Sequence, residues 1–201
     1  MKLLRILLTG FEPFGNYKEN SSWAVAEKVA ACGFEGVSVV LLPVTFAGVA
    51  GALRRAVEEH RPDVILMLGQ SAGIDYIKLE RIAINMMDSA SPDNDGYIPD
   101  EETILQGGEV ALFTGTRIKE LRRVIEEQGF AAKVSNSAGL YVCNRLYYEA
   151  LTICRENPGM KALFIHLPFY EGQPSAPAGK PAMPLDDMLQ ATKIIIHKIR
   201  Q

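Results

Sequence analysis

Short apolar runs alternate with longer amphipathic segments along the chain, and this alternation limits the possible folds more than any other feature of the sequence. The apolar runs have the length and composition of strands; they are Leu3–Leu8, Val37–Leu42, Val64–Leu68, Tyr76–Asn85, Ala131–Ser135 and Ala162–Leu167. The longer segments repeat an apolar residue every three or four positions, as helices do; they are Ser21–Ala31, Phe46–His60, Thr116–Gln128, Leu140–Glu156 and Leu185–Arg200. Strand–helix alternation of this kind predicts an α/β layered fold with a largely parallel sheet.

The length and composition favour a single compact domain. A chain of 201 residues can bury a substantial core, and neither a linker nor an internal repeat interrupts the pattern, so residues 1–201 are expected to form a single domain. Hydrophobic residues make up 48% and charged residues 22%, which excludes disordered and fibrous classes. The net charge of -3, without a basic stripe, indicates that nucleic acid is not a partner.

The same sequence gives expectations about membranes, cysteines and location. The longest apolar stretches, Leu3–Leu8 and Val37–Val44, are too short to span a bilayer. The N-terminus leads directly into a strand and lacks a signal-peptide cleavage site. The three cysteines, Cys32, Cys143 and Cys154, form neither a disulfide framework nor a metal-binding spacing. We therefore expect reduced thiols, no membrane association, no metal and a cytoplasmic location.

Distinctive motifs follow the first and third predicted strands, where sites form in open parallel sheets. The segment Gly10–Gly15 (GFEPFG) places Phe11 and Phe14 beside a proline, so the two rings either wall an apolar pocket or simply pack within a loop. The segment has neither the glycine spacing nor the lysine of a phosphate loop. Gln70 follows Gly69 and offers an amide that both donates and accepts hydrogen bonds. It is a candidate ligand contact, and a plain turn is the alternative.

Cys143 is the candidate nucleophile. It follows a stretch of small polar residues that ends at Gly139 and opens a helix, so it lies in the first helical turns. The partial positive charge of a helix start lowers a thiol pKa, and its unpaired N–H groups suit an oxyanion. The alternative is a core residue, because Cys143 shares a helix face with Tyr147, Leu151 and Cys154.

His166 and Glu80 are the candidate partners of such a thiol. His166 ends an apolar strand, at a position where sites form. Strand alternation places Glu80 on the face of Ile82 and Ile84, where a carboxylate needs a partner unless it reaches water at an edge. Nucleophilic catalysis by a thiol requires a base and a group that orients the base. Cys143, His166 and Glu80 provide one residue of each kind.

Five motifs, taken together and in order, resemble the signature blocks of the pyrrolidone-carboxylate peptidase (pyroglutamyl peptidase I) family. The motifs are Gly10–Gly15 (GFEPFG), Glu80–Asn85 (ERIAIN), Pro92–Asn94 (PDN), Ser137–Asn144 (SAGLYVCN) and Phe164–Pro168 (FIHLP). They extend from position 10 to position 168 of the chain, and the chain length matches the family nearly end to end. A set of five is far more specific than any one motif alone.

The resemblance implies a single-domain, three-layer α/β/α sandwich that needs neither a metal nor another cofactor and often assembles as a homotetramer. It implies a catalytic set of Glu80, Cys143 and His166. It also assigns five residues to the binding of a pyroglutamyl peptide substrate; they are Phe11, Phe14, Gln70, Tyr141 and Val142.

Two places differ from the usual family pattern. Gly73-Ile74-Asp75 stands where the family usually has Gly-Arg after the glycine–glutamine turn. Ala90-Ser91 stands where it usually has Arg-Ile before PDN, which removes a cation and an apolar contact near the expected site.

The function predicted from the motifs is that of a cysteine peptidase that removes N-terminal pyroglutamyl residues through a thioacyl-enzyme intermediate. One alternative is a non-catalytic homologue that only binds pyroglutamyl peptides. A second is a nucleoside-phosphorylase-like enzyme with a similar sheet, although the strand-end motifs contain no basic phosphate site. A third, a thiol redox sensor, requires a resolving cysteine, and Cys154 lies too far along the helix from Cys143 for that role.

Overall fold

The computed structural model describes residues 3–201, and this part of the chain forms an α/β fold with five helices and ten strands. The helices are α1 (Ser21–Ala31), α2 (Gly48–His60), α3 (Ile118–Glu127), α4 (Val142–Glu156) and α5 (Leu185–Ile199). The strands are β1 (Ile6–Phe11), β2 (Val37–Leu42), β3 (Val64–Gln70), β4 (Ile77–Glu80), β5 (Ile82–Ile84), β6 (Ala111–Phe113), β7 (Ala132–Ser135), β8 (Lys161–Leu167), β9 (Phe169–Tyr170) and β10 (Ala182–Met183).

Six of the strands build a central sheet in the order β2-β1-β3-β8-β4-β7. Every neighbouring pair in this sheet is parallel except β4 and β8, which are antiparallel. The mostly parallel α/β architecture predicted from the strand–helix alternation is therefore confirmed. The carboxyl ends of β1, β3 and β8 meet at one edge, whereas β4 and β7 run the other way.

Helices cover both faces of the sheet and make three layers. On one face α1, α3 and α5 pack against residues such as Leu8, Leu66 and Ile165. On the other face α2 and α4 pack against Leu7, Met67 and Phe164, which alternate with the first set along the same strands. Strands buried on both faces explain why the apolar runs of the sequence are continuous rather than alternating.

Two predicted strands are placed differently in the structure. The first begins at Ile6 rather than Leu3 and extends to Phe11, because Gly10 and Phe11 continue the pairing with β2. The predicted strand Tyr76–Asn85 is divided at Arg81 into β4 and β5. The N–H of Arg81 donates to the carbonyl of Ser135 in β7, and the carbonyl of Arg81 accepts from the N–H of Thr114, directly after β6. The chain therefore changes partners there, and β5 pairs with β6 in a separate two-stranded sheet.

This division corrects the expected surroundings of Glu80. The prediction that Glu80 shares a strand face with Ile82 and Ile84 is wrong, because the pleat of β4 does not continue into β5. Ala83, between the two isoleucines, is the β5 residue that packs into the core beneath α4. Among residues 3–201, no helix is long and apolar enough to cross a bilayer.

Candidate active site

The candidate site lies on the sheet face that α2 and α4 cover. On β8, His166 alternates with the buried Ile165 and Leu167 of the opposite face, so its ring turns toward α4. On β4, the same period of two places Lys78 and Glu80 toward α4, since Leu79 belongs to the opposite core. The strand pleat alone thus brings a base and a carboxylate to one face.

Glu80 and His166 form a buried hydrogen-bonded pair. The Nδ1 atom of His166 lies 2.8 Å from Oε1 of Glu80, and the exposed fractions of the two residues are 5% and 0%. Glu80 is the last residue of β4, and because β4 is antiparallel to β8 it is registered with Phe164, two residues before His166.

Cys143 is the second residue of α4, whose N-cap is Tyr141, and its thiol is free and partly buried. Its position relative to the histidine follows from Gly69, which is registered directly with His166 in the β3–β8 pair. A Cβ atom placed on Gly69 would lie 3.2 Å from Sγ of Cys143 and under 3 Å from the ring of Phe164. The sulfur therefore occupies the space beside His166 that the missing side chain leaves open.

Burial governs the titration of both groups. Burial, together with the smaller effect of the nearby charge of Glu80, raises the pKa of the Cys143 thiol from 9.0 to about 12. Lys78 and the Cys143 backbone N–H lower it, but by less. The prediction of a lowered thiol pKa at the helix start is therefore wrong, because burial outweighs the effect of the backbone N–H. Burial also lowers the pKa of His166, against the opposing effect of Glu80, so burial disfavours the charged form of both groups.

A small apolar cavity opens beside the thiol. All five residues that the resemblance assigned to substrate binding line it, together with the nucleophile candidate and two residues that the sequence did not single out; the lining is Phe11, Phe14, Asn20, Val44, Gln70, Tyr141, Val142 and Cys143. The ring of Tyr141 lies 6.2 Å from that of Phe14 and 5.3 Å from that of Phe46, measured between centroids. Aromatic faces thus form the wall of the cavity nearest the start of α4.

Gln70 offers an unused donor to this cavity. Its Oε1 accepts hydrogen bonds from the Ser21 N–H at 2.9 Å and from Nε2 of Gln173 at 2.7 Å. Its Nε2 is buried and has no hydrogen-bond partner among the residues that the structure describes. A buried amide donor of this kind costs free energy unless a ligand satisfies it.

Backbone groups fix the orientation of both amides. Gln173, from the loop between β9 and β10, accepts at Oε1 from the Tyr170 N–H and donates at Nε2 to the Glu19 carbonyl. Because these two groups and the Ser21 N–H have fixed polarity, neither glutamine can be flipped without losing them. Gln173 is 5% exposed; its place in a Pro- and Gly-rich loop gave no signal in the sequence.

The PDN motif connects the loops around the cavity. Asp93 accepts from the Phe46 N–H at 2.8 Å, and Nδ2 of Asn94 donates to Oε1 of Glu12 at 2.8 Å. The same Glu12 oxygen accepts from the Val44 N–H at 3.0 Å. The loops that carry the aromatic wall are therefore held together by charge-assisted hydrogen bonds.

The two departures from the usual family pattern lie outside the lining of the cavity. Ala90 and Ser91 are exposed, and Ser91 exchanges hydrogen bonds with Ser89 within its own turn. Ile74 is buried and Asp75 is exposed.

Asn144 fixes the start of α4 against β5. Its side chain is fully buried, donates to the carbonyls of Ile84 and Met86, and accepts from the Ile84 N–H at 2.9 Å. A polar residue directly after the candidate nucleophile, in an otherwise apolar stripe, was the available signal in the sequence. Asn144 therefore holds the start of α4, which carries Cys143, against β5.

A layered α/β sheet that holds a thiol, an imidazole and a carboxylate in one buried cluster is typical of hydrolases that use a thiol nucleophile. The family model described as pyroglutamyl peptidase matches residues 4–201, and the chain belongs to that family. The family assignment made from the five sequence motifs is therefore confirmed.

Individual relatives agree with this result over nearly the whole chain. A pyrrolidone-carboxylate peptidase of Thermococcus onnurineus is 40% identical over 196 residues, covering 96% of this chain and 97% of that protein. The crystal structure of a pyrrolidone carboxyl peptidase from Fervidobacterium islandicum AW-1 superimposes with a TM-score of 0.92 at 34% identity, covering 98% of both chains. Pyroglutamyl peptidase I from Bacillus amyloliquefaciens gives a TM-score of 0.90 at 36% identity, covering 96% of this chain and 93% of that one.

Proposed function

We propose that the protein cleaves N-terminal pyroglutamyl residues from peptides, with Cys143 as nucleophile, His166 as acid and base, and Glu80 as the residue that orients His166. The observation that carries this proposal is the buried 2.8 Å hydrogen bond between Glu80 and His166, next to a thiol at a helix start. Membership of the pyroglutamyl peptidase family supports the reaction and the class of substrate.

The chemistry begins from a neutral thiol and a neutral imidazole. Nδ1 of His166 faces Glu80, which leaves Nε2 to take the Cys143 proton as the sulfur attacks the pyroglutamyl carbonyl. The carboxylate of Glu80 stabilises the imidazolium that forms. Backbone N–H groups at the uncapped start of α4 hold the oxyanion, because the first N–H groups of a helix have no intrahelical partner.

The second half of the reaction returns the proton. The imidazolium donates it to the leaving amine, the C–N bond breaks, and a thioester to Cys143 remains. His166 then takes a proton from water, whose oxygen attacks the thioester and releases pyroglutamate. The sulfur recovers its proton from His166, so the enzyme returns to its neutral resting form.

The cavity suits a neutral lactam. Pyroglutamate has no free α-amine, and the cavity combines the apolar side chains of Phe11, Phe14 and Val142 with the single unpaired amide donor of Gln70. A charged N-terminus would lose its hydration there without gaining a counter-charge, at a cost of several kcal/mol. We propose that this penalty, together with a hydrogen bond from Gln70 Nε2 to the ligand, gives the specificity.

The decisive experiment compares hydrolysis of a fluorogenic pyroglutamyl conjugate with that of the matching prolyl conjugate. We expect turnover of the pyroglutamyl substrate only, inactivation by iodoacetamide, and no turnover by Cys143→Ala with an unchanged circular-dichroism spectrum. Cys154→Ala on the same helix is the matched control and should retain activity. Normal turnover by Cys143→Ala would refute the assignment, and binding of the substrate without turnover by the wild type would favour a non-catalytic homologue.

We also propose that residues 1–201 form one domain, and that the chain acts in the cytoplasm as a homo-oligomer, with a tetramer favoured by the resemblance. Large apolar side chains exposed on the surface, among them Ile98, Val110 and Phe113, support self-association. Sedimentation equilibrium of the wild type and of Phe113→Glu tests the assembly; a monomeric wild type would refute it.

A further inference from the structure

Lys78 lies beside the proposed catalytic pair. It is registered directly with His166 across the antiparallel β4–β8 pair, so both side chains project from the same face of the sheet. Its Nζ lies 3.3 Å from Oε1 of Glu80, the same oxygen that Nδ1 of His166 approaches to 2.8 Å. The other carboxylate oxygen, Oε2, is buried and unpartnered within residues 3–201. A single carboxylate oxygen of Glu80 therefore lies close to both the ammonium of Lys78 and the imidazole of His166.

We propose that Lys78 is an electrostatic positioning residue that shares the Glu80 carboxylate with His166 and thereby keeps His166 neutral and able to accept the thiol proton. This proposal rests on the roles proposed above for Cys143 and His166. Lys78 does not line the cavity, and its Nζ contacts Glu80.

The physical reason is the isolation of Glu80 from water. A buried carboxylate facing only an imidazole would hold a proton on that ring and would oppose a thiolate nearby. Burial is the main cause of the lowered pKa of His166, and the ammonium of Lys78, 3.3 Å from the shared carboxylate oxygen, acts in the same direction. Lys78 also opposes the rise of the Cys143 pKa that burial and Glu80 cause. With Lys78 in place the base is free to take a proton at neutral pH, and the negative charge that develops on sulfur has a counter-charge.

Other titratable groups near the cluster leave Lys78 as the cation that acts on it. From α4, Tyr147 donates its hydroxyl to the Glu80 backbone carbonyl at 2.9 Å, and burial raises its pKa, so it stays neutral. From β7, Lys133 is registered with Lys78, but its Nζ lies over the Tyr76 ring, 4.1 Å from the ring centre. Lys133 is therefore a matched control: a lysine at the same register on the next strand.

The test measures pH profiles of Lys78→Met, Lys78→Arg and Lys133→Met. The first readout is kcat/KM for a pyroglutamyl conjugate, whose acid limb reports the protonation of His166. The second is the rate of carbamidomethylation of Cys143 by iodoacetamide, followed by mass spectrometry, which reports the thiolate and needs no peptidase activity. Both are followed across about pH 5 to 10.

For Lys78→Met we expect both profiles to move to higher pH, with rates on the acid limb about tenfold lower, equivalent to a shift of about one pH unit. Lys78→Arg should keep the wild-type profiles because it keeps the positive charge beside Glu80. Lys133→Met should keep them because the ammonium of Lys133 contacts the Tyr76 ring. Coincident profiles for Lys78→Met and wild type, or an equal shift in Lys133→Met, would overturn the proposal.

The two assays distinguish a failure of this proposal from a failure of the proposed function. If the wild type has no pyroglutamyl activity, the function fails, while the alkylation profile still tests whether Lys78 controls the thiol. If Lys78→Met does not fold, Lys78→Gln, with a shorter polar side chain, replaces it in the same two assays. A loss of activity in both charge-removing variants with unmoved pH profiles would show a purely structural role and would refute the proposal.

Discussion

Replacing Glu80 by Gln removes one charge from the buried cluster while keeping the size of the side chain. In the wild type, the imidazolium that the proposed mechanism forms during attack lies against a carboxylate oxygen at 2.8 Å, shielded from water. Charge centres about 4 Å apart in a medium with an effective dielectric constant of about 20 attract by about 4 kcal/mol. Lys78 already neutralises part of this carboxylate, so we expect Glu80→Gln to lose about 3 to 4 kcal/mol of transition-state stabilisation, a fall in kcat of about 10² to 10³.

The measurement is steady-state kinetics with a fluorogenic pyroglutamyl conjugate, alongside thermal unfolding to show that the variant is folded. KM should change by less than about threefold, because Glu80 does not line the cavity. Arg81→Gln is the control: it removes a charge from the next residue, which bonds to the exposed Asn136, and should leave kcat nearly unchanged. A folded Glu80→Gln variant with kcat within about threefold of wild type would refute the proposed role of Glu80.

Three further substitutions test the geometry of the site. Gly69→Ala would place a Cβ 3.2 Å from Sγ of Cys143 and closer still to the ring of Phe164, so kcat should fall at least about tenfold. The control is Gly51→Ala, in the more open interior of α2, which should instead raise the free energy of unfolding by about 0.5 to 1 kcal/mol. Asn144→Ala removes three hydrogen bonds to partly buried backbone groups of Ile84 and Met86 and should lower the free energy of unfolding by about 3 kcal/mol in urea titrations; a loss below about 1 kcal/mol would contradict its role in holding α4. Gln173→Leu removes the hydrogen bond that orients Gln70 and should raise KM about tenfold with a smaller change in kcat; an unchanged KM would count against that orientation.

The local elements were predictable from the sequence because each is set by short-range patterns. The helices Ser21–Ala31 and Leu185–Ile199 have an apolar stripe and recognisable ends, and their predicted bounds agree with the structure to within one residue. The short strands β6, β9 and β10 were missed, since two or three residues carry no measurable periodicity.

The direction of β4 could not be predicted, and the surroundings of the site depend on it. The alternation of Ile77 to Glu80 is the same whether the strand runs parallel or antiparallel to β8, because a period of two carries no direction. Only the observed pairing, with Lys78 opposite His166 and Glu80 opposite Phe164, decides which side chains surround the imidazole. The sequence did contain one usable signal for Lys78, since it stands two residues before Glu80 and must share its face.

The pKa of the Cys143 thiol was predicted wrongly from its position at a helix start, although a helix start does favour a nearby negative charge. A helix start stabilises a nearby negative charge by about 0.3 to 1 kcal/mol, and by up to about 2 kcal/mol in a partly buried setting. The rise of the Cys143 pKa from 9.0 to about 12 corresponds to about 4 kcal/mol in the other direction. The larger effect, burial beneath α4 beside a carboxylate, depends on contacts distant in sequence and therefore could not be read from the helix start. The raised pKa disfavours a resting thiolate at neutral pH, so in the proposed mechanism the attack by Cys143 is coupled to proton transfer to His166. The proposed mechanism therefore requires a neutral histidine rather than a preformed thiolate–imidazolium ion pair.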